Sequence, residues 1–199
     1  MKTFLRQASA GLRVLLVFTV LLGILYPLGV WAVSRIPGLE SKAEGSLLSS
    51  NGQVAGSALI GIDPIAADPQ HDPWFHNRPS ATAKDVLGPG DPATSGASNK
   101  GTYNEDLIAA ITQRKQLIAE REGTSPQQVP ADAVTASGSG LDPSISVAYA
   151  NVQIPRVARV TGLGESRIRE LVLQYTSSNG IGIAGVNVTE LNLAVQVAS

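Results

Sequence analysis

Cysteine is absent from the 199 residues, which removes disulfide staples and thiolate chemistry and leaves the redox compartment unread. Histidine occurs only twice, so metal or catalytic sites that depend on imidazole have little to draw on. No G-x-x-x-x-G-K-[ST] sequence is present, and a phosphate cradle of the Walker type goes with it. Lys and Arg form no cluster, which argues against nucleic acid as a partner. Long apolar runs are missing too, except for one at the N-terminus.

From Val14 to Val33 the chain carries no charge. About 20 residues at about 1.5 Å rise span about 30 Å, the hydrocarbon thickness of a bilayer. Lys2, Arg6 and Arg13 precede the run, and all 16 acidic residues follow it. The positive-inside bias therefore puts the N-terminus in the cytoplasm and the bulk of the chain on the other side. Tyr26 and Trp31 lie towards the outer end, where amphipathic rings prefer the interface. A cleaved secretory signal ending near Ala32 is the competing reading, but the apolar run exceeds the roughly 7–15 residues of a signal core and Val33 continues it. Pro27 is expected to kink the helix. Gly11, Gly23 and Gly29 could admit close helix contact without forming a GxxxG pair. The resulting plan is a cytoplasmic N-terminus (1–13), a membrane helix (14–33), a linker (34–51) and one extracytoplasmic domain (52–199). With 12 basic against 16 acidic residues, the portion after Val33 carries a net charge of −4.

In that portion, Val54–Ile62 reads as a buried strand. Six of the 12 prolines fall between Pro64 and Pro92, which excludes a helix there and predicts a long loop. Trp74 and Phe75 favour order in that loop, since disordered linkers seldom carry bulky apolar side chains. Asn104, followed by Glu105 and Asp106, reads as an N-cap, with an amphipathic helix running to Gly123. Asp142-Pro143 reads as the start of a second helix that Pro155 ends or kinks, and a third is expected over Glu165–Tyr175. Alternation through Val186, Val188 and then Leu191, Leu193, Val195 and Val197 reads as a strand with a bulge near Glu190. The fold class is α+β, or α/β, behind one transmembrane helix.

Chemistry is sparse. His71 and His76 stand near Asp68 and Asp72, but the spacing matches no metal motif, and structural or solvated roles are expected. Ser137-Gly138-Ser139-Gly140 lacks the glycine two before the serine that a nucleophile elbow needs; a glycine turn whose hydroxyls bond backbone is favoured over an exported serine hydrolase using Ser137 or Ser139. Such a turn could also offer amides to an anion. Arg156, Arg159, Arg167 and Arg169 read as solvated helix faces.

Four blocks then stand together: Trp74-Phe-His-Asn-Arg-Pro-Ser-Ala81, Thr135-Ala-Ser-Gly-Ser-Gly-Leu-Asp-Pro143, Pro155-Arg-Val-Ala-Arg-Val-Thr-Gly-Leu163 and Val188-Thr-Glu-Leu-Asn-Leu193. In this order they resemble the C subunit of the Kdp potassium-transporting ATPase, from the anchor to the C-terminus. Ser95-Gly-Ala-Ser-Asn99 is similar to the family's Ser-Gly-Gly-Ser-Asn with Ala97 replacing a glycine, whereas Lys100-Gly-Thr-Tyr103 departs from its Leu-Gly-Pro. The resemblance implies a non-catalytic accessory subunit of a bacterial inner-membrane complex that imports potassium using ATP. Its partners would be a channel-like potassium-conducting subunit, a P-type ATPase subunit, a small single-helix subunit and membrane lipid. No cofactor is assigned to this chain itself, with ATP possible through the ATPase subunit. ATP belongs to the ATPase subunit, whose ATP affinity the family is described as raising. Family-motif or partner-contact candidates are Arg78, Pro79 and Ser80; Ser95, Ser98 and Asn99; Ser137, Gly138, Ser139, Gly140 and Asp142; and Arg156 and Arg159. The alternatives are the serine hydrolase and a secreted binding domain.

Overall fold

A computed structural model describes residues 2–177 and 184–199. The chain divides into two compact units, Met1–Ser46 and Leu47–Ser199. In the first, one helix, α1, runs over Lys2–Ser34 and is long and apolar enough to cross a membrane. Its side chains are exposed all round, as suits a helix solvated by lipid. Pro27 does not break it. The turn Leu21–Leu25 widens to a π-helix immediately upstream, where the missing proline N–H would otherwise leave the Gly23 carbonyl without its helical donor. Past the helix, the Arg35 guanidinium lies 5.8 Å from the centroid of the Trp31 ring and pairs with Glu44 at 2.6 Å, ahead of the short helix α2 (Glu40–Ala43).

The second unit opens with a hairpin of β1 (Leu47–Ser50) and β2 (Gln53–Ser57). Asn51 and Gly52 both adopt positive φ, 52° and 76°, as a tight turn matched to strand twist requires. Two expectations are corrected here. Leu47–Ser50, inside the expected linker, is a strand. Val54–Ile62 is not a buried strand, since only its first part is extended and Val54 and Ala55 are exposed.

The proline-rich stretch is ordered and nearly free of regular structure, apart from a 3-10 turn at Pro69–His71. Side chains hold it in place of a backbone ladder. The Phe75 ring is fully buried, and Asn192 clamps its backbone from both sides, accepting from the Phe75 N–H at 2.8 Å and donating to its carbonyl at 2.9 Å.

Helix α3 (Glu105–Glu122) matches the expectation: Asn104 accepts from the Leu107 N–H, and Gly123 ends the helix at φ 66°. After α4 (Ala131–Val134), Asp142 does not start a helix. It accepts from the Ser144 N–H at 2.9 Å, leading into β3 (Ser144–Ser146). Ser146 is the cap of α5 (Val147–Thr161), accepting from the Tyr149 N–H at 3.0 Å. Pro155 lies within α5, where it and Asn151, whose carbonyl it leaves without a donor, face solvent, so water can replace the lost bond. Helix α6 (Glu165–Gln174) follows as expected, then β4 (Thr176–Ser177) and β5 (Gly185–Asn187), in an antiparallel sheet of order β3-β5-β4.

The C-terminal strand is a fourth correction, for residues 188–198 form helix α7 (Val188–Ala198). Asn187 caps it, accepting from the Glu190 N–H at 3.1 Å. Val188, Leu191 and Val195 are buried at helical spacing while Val197 is exposed, so the two-residue alternation was coincidental. Helices α3, α5, α6 and α7 close with the three-stranded sheet over a core that includes Ile118, Ile145, Tyr149, Ile154, Ile168, Val186 and Leu191. The unit is a mixed helix and sheet domain.

Candidate functional site

The motif blocks converge through backbone contacts. The turn at 137–140 is braced on both sides: the Ser137 N–H donates to the Pro79 carbonyl at 3.2 Å, and the Ser139 carbonyl accepts from the Gly96 N–H at 2.8 Å and from the Ser95 hydroxyl at 3.1 Å. The next residue, Leu141, accepts from the Gly61 N–H at 2.9 Å. Gly140 is required here twice over. It holds φ +73°, and a Cβ would stand 2.9 Å from both the Gly96 carbonyl oxygen and the Ser80 hydroxyl. Arg78 spans the same turn, its guanidinium 3.4 Å from Asp142 and from the Thr135 and Ala136 carbonyls. The Ser137 and Ser139 hydroxyls accept from the Asp142 and Leu141 amides, 3.5 and 3.1 Å. His71 bonds to Asp68 and His76 to Asp63 and Asp72, so among the described residues no Ser–His pair of a hydrolase is assembled.

Beside this bracket lies a buried charged network. His76 sits between two carboxylates, Nδ1 at 3.0 Å from Asp63 and Nε2 at 2.6 Å from Asp72, so each ring nitrogen faces a carboxylate. Arg156 reaches the proline-rich stretch 64–92, a strap over the helices, from α5: it donates to the Asp72 carbonyl at 2.7 Å and to Glu122 at 2.9 and 3.2 Å. Glu122 also accepts from Arg121 at 2.7 Å, and Arg121 donates to the Tyr149 hydroxyl at 3.0 Å. Gln153 ties the strap to α5 from both ends, accepting from the His76 N–H at 2.7 Å and donating to its carbonyl at 3.2 Å. Burial pushes the Tyr149 phenol up to about 12, with the Asp63 and Glu122 charges adding to it against Arg121. Burial pulls Arg121 down, but Tyr149 and Glu122 outweigh it and leave the guanidinium above its ordinary value.

Burial likewise opposes ionisation of Asp72, yet the hydrogen bond and charge of His76, the Trp74 amide and Arg156 hold it below the usual aspartate value. A carboxylate depressed in the folded state stabilises the fold above its unfolded pKa, about 3.9, and loses that contribution as pH falls through the folded value. The full chain in detergent is therefore expected to lose melting temperature as pH drops from 4 towards 2, and Asp72→Asn to flatten that loss. Equal slopes for the two proteins by circular dichroism would contradict this.

His71 is exposed and bonded to Asp68 at 2.7 Å, which lowers the Asp68 pKa. Among the described residues no set of three or more His, Asp or Glu side chains is arranged to hold a metal ion.

The family model described as KdpC, K+-transporting ATPase, c chain, matches residues 8–197. Relatives named potassium-transporting ATPase KdpC subunit agree over nearly the whole length. That of Kineococcus radiotolerans is 43% identical over 198 residues, covering 98% of this chain and 95% of its own. That of Mycobacterium bovis is 43% identical over 195 residues, covering 96% and 97%. That of Streptomyces coelicolor is 39% identical over 213 residues, covering 96% and 92%.

The chain belongs to the KdpC family. It is accordingly a subunit of a membrane-associated transport complex and not an enzyme by itself, and among the described residues it has one candidate membrane helix, near the N-terminus. Of the KdpC motif candidates, Pro79, Ser80, Ser137 and Gly140 are buried in the bracket, with Arg78 and Asp142 half-buried at its edge. Ser95, Ser98, Asn99, Gly138 and Ser139 are exposed around it, Asn99 at φ 52°. The Pro155–Leu163 block divides: Arg159 is exposed as expected of a solvated face, whereas Arg156 is buried, which corrects that reading for Arg156. Sequence reasoning missed Asp63, Glu122, Gln153 and Asn192. Glu122 had a signal, because it continues the core-facing positions of half-buried Ile111 and buried Ile118 of α3 at helical spacing, where a carboxylate needs an internal partner.

Proposed function

We propose that this KdpC-family chain is the accessory subunit of a bacterial inner-membrane complex that imports potassium with high affinity using ATP, and that it stabilises the assembly of the channel-like and P-type ATPase subunits, with the small single-helix subunit alongside. The family match over residues 8–197 carries the reading. The densely hydrogen-bonded bracket and network agree with it, since they suit a rigid scaffold more than a reactive site. Three basic residues before the apolar run and acidic residues only after it favour a cytoplasmic N-terminus and an extracytoplasmic domain. Exposed bracket residues Ser95, Ser98, Asn99, Gly138 and Ser139, together with Arg159, are the proposed contact candidates, while Pro79, Ser80, Ser137, Gly140 and Arg156 act by holding shape. In this orientation the domain lies across the membrane from cytoplasmic nucleotide. An effect on the ATP affinity of the ATPase subunit would then travel through that subunit's membrane segments, without ATP contact.

Deleting the gene is expected to abolish both growth at micromolar potassium and recovery of the intact complex, with the full-length gene restoring both. Undiminished high-affinity uptake in the deletion strain would sink the proposal.

A further inference from the structure

A cavity of about 330 Å³ opens on the second unit between α3, the strap and the stretch around Ser98. Its lining runs from an exposed rim of Ser98, Lys100 and Asp106 to half-buried Ala110, Arg114 and Ala136. Lys100 and Asp106 neutralise each other at 3.0 Å. Arg114 is held differently. Its Nε and Nη1 donate to the Val86 and Val134 carbonyls, each at 3.0 Å, which leaves Nη2 without a bond to any described residue. The two carbonyls fix the guanidinium in place, but as uncharged groups they do not neutralise it.

The other buried or half-buried arginines of this unit each meet a carboxylate, Arg78 that of Asp142 at 3.4 Å and Arg121 and Arg156 that of Glu122 at 2.7 and 2.9 Å. Among the described residues Arg114 is the member of this group with none within 4 Å. Burial accordingly pulls its guanidinium below the ordinary value unopposed, whereas Glu122 helps to hold Arg121 above its own. Asp85 also lines the cavity, but it is exposed and beyond ion-pair distance of Arg114, so water serves it. One carboxylate is what Arg114 calls for, since the two oxygens match its planar donor face. A phosphate dianion would add a second negative charge against Asp85 and Asp106. The surroundings favour a protein as the source. The volume is at the small end of the roughly 300–1,000 Å³ of ligand sites and holds an acidic side chain with part of the turn that carries it. Ala97, Leu107, Ala110 and Ala136 offer apolar wall to the CH₂ stem. Tyr103, in the turn between Lys100 and Asp106, is 94% exposed, and tyrosine is enriched at protein interfaces. The rim is also continuous in the chain with Ser95 and Asn99, proposed above as contacts.

We infer that this cavity receives an Asp or Glu side chain of another subunit of the same complex, whose carboxylate pairs with Arg114. The inference rests on the proposed membership of that complex. It is tested with the full-length chain in native membranes, carrying a photo-cross-linking residue in place of Ser98 or, as a control on the exposed face of α6, Leu173. Irradiation is expected to join position 98, but not 173, to a partner subunit, with the adduct mapping by mass spectrometry to a segment that contains an acidic residue. Changing that acid to its amide, which leaves this chain untouched, is expected to cut recovery of the pair by about tenfold or more. Arg114→Glu should lose the partner to a similar extent, and changing the mapped acid to Arg in the same cells should restore it. An intact complex with no adduct at 98, an adduct to a segment without an acid, or recovery indifferent to the acid-to-amide change overturns the pairing and leaves the assembly role standing. So does a purified full chain in detergent whose melting temperature rises in sodium acetate over sodium chloride of equal ionic strength while position 98 gives no adduct, for the carboxylate is then a free acid. Failure of the unmodified chain to co-purify with any partner subunit overturns both. Should Arg114→Glu misfold, the acid-to-amide change in the partner decides the matter.

Discussion

Glu122→Gln is expected to lower the stability of the full chain by about 3–5 kcal/mol, the cost of removing one member of a buried ion pair. The side chains of Glu122 and Arg156 are 0% and 3% exposed, so water cannot replace what is lost. The carboxylate serves two guanidinia, Arg156 at 2.9 Å and Arg121 at 2.7 Å, and the neutral amide would leave both cations facing each other. Arg156→Met is the complementary change. It leaves Glu122 paired with Arg121 but strips donors from the Asp72 carbonyl and from Gln153. The double variant is expected to lose clearly less than the sum of the singles, since the Arg156 charge that Glu122→Gln leaves uncompensated is absent from it and the Arg156–Glu122 bonds are lost only once. Thermal melts at pH 7 should show the melting temperature of Glu122→Gln falling by on the order of 10 °C for a domain of this size. A fall of under about 2 °C, or strictly additive losses, would show that the pair does not hold the strap to α3 and α5.

The second large effect is expected from the smallest substitution. In Gly61→Ala the new methyl group would overlap the Asp142 carbonyl oxygen and stand 2.6 Å from Pro143 Cα. Both obstacles are backbone, tied down by the Gly61–Leu141 hydrogen bond at 2.9 Å, so neither can turn aside as a side chain would. Backbone has to separate there, at a cost of about 3 kcal/mol or more. The damage should spread two residues on, because Asp63 bonds both the Asn77 N–H at 2.7 Å and the His76 ring. Gly88→Ala is the matched control, its methyl meeting only Asp85 Cβ at 3.8 Å. Gly61→Ala should therefore reduce melting temperature and recovery of the complex together while Gly88→Ala changes neither. Equal behaviour of the two would remove the close approach at Gly61 as a feature of the bracket.

Legibility followed the range of the interactions. The cap at Asn104, the stop at Gly123 and the helix from Glu165 depend on residues within one or two turns, and each was readable. The same local rules failed at Asp142 and at the C-terminus. Asp142 has the chemistry of a helix cap, but its next residues pair with β5, and Ser146 takes the capping role four residues later. Residues 191–197 alternate like a strand, yet Asn187 provides a cap and the core accepts only Leu191 and Val195, which a helix places on one face. The charged network was the least legible part of the candidate site. Its members come from four separate stretches, and Glu122 and Arg156 are 34 positions apart.

The sequence by itself determined that one helix can cross a membrane, that the prolines deny regular structure to the strap, and that the chain resembles the KdpC family. Uncharged length, absent N–H groups and ordered motif blocks are all properties of residues along the chain. Only the tertiary structure decided that Arg156 is buried, that the serine turn is a bracket, and that Arg114 lines a cavity with carbonyls but no carboxylate to pair with. Those are outcomes of burial and of contacts between distant segments, which exist only once α3, α5 and α7 have closed over the strap.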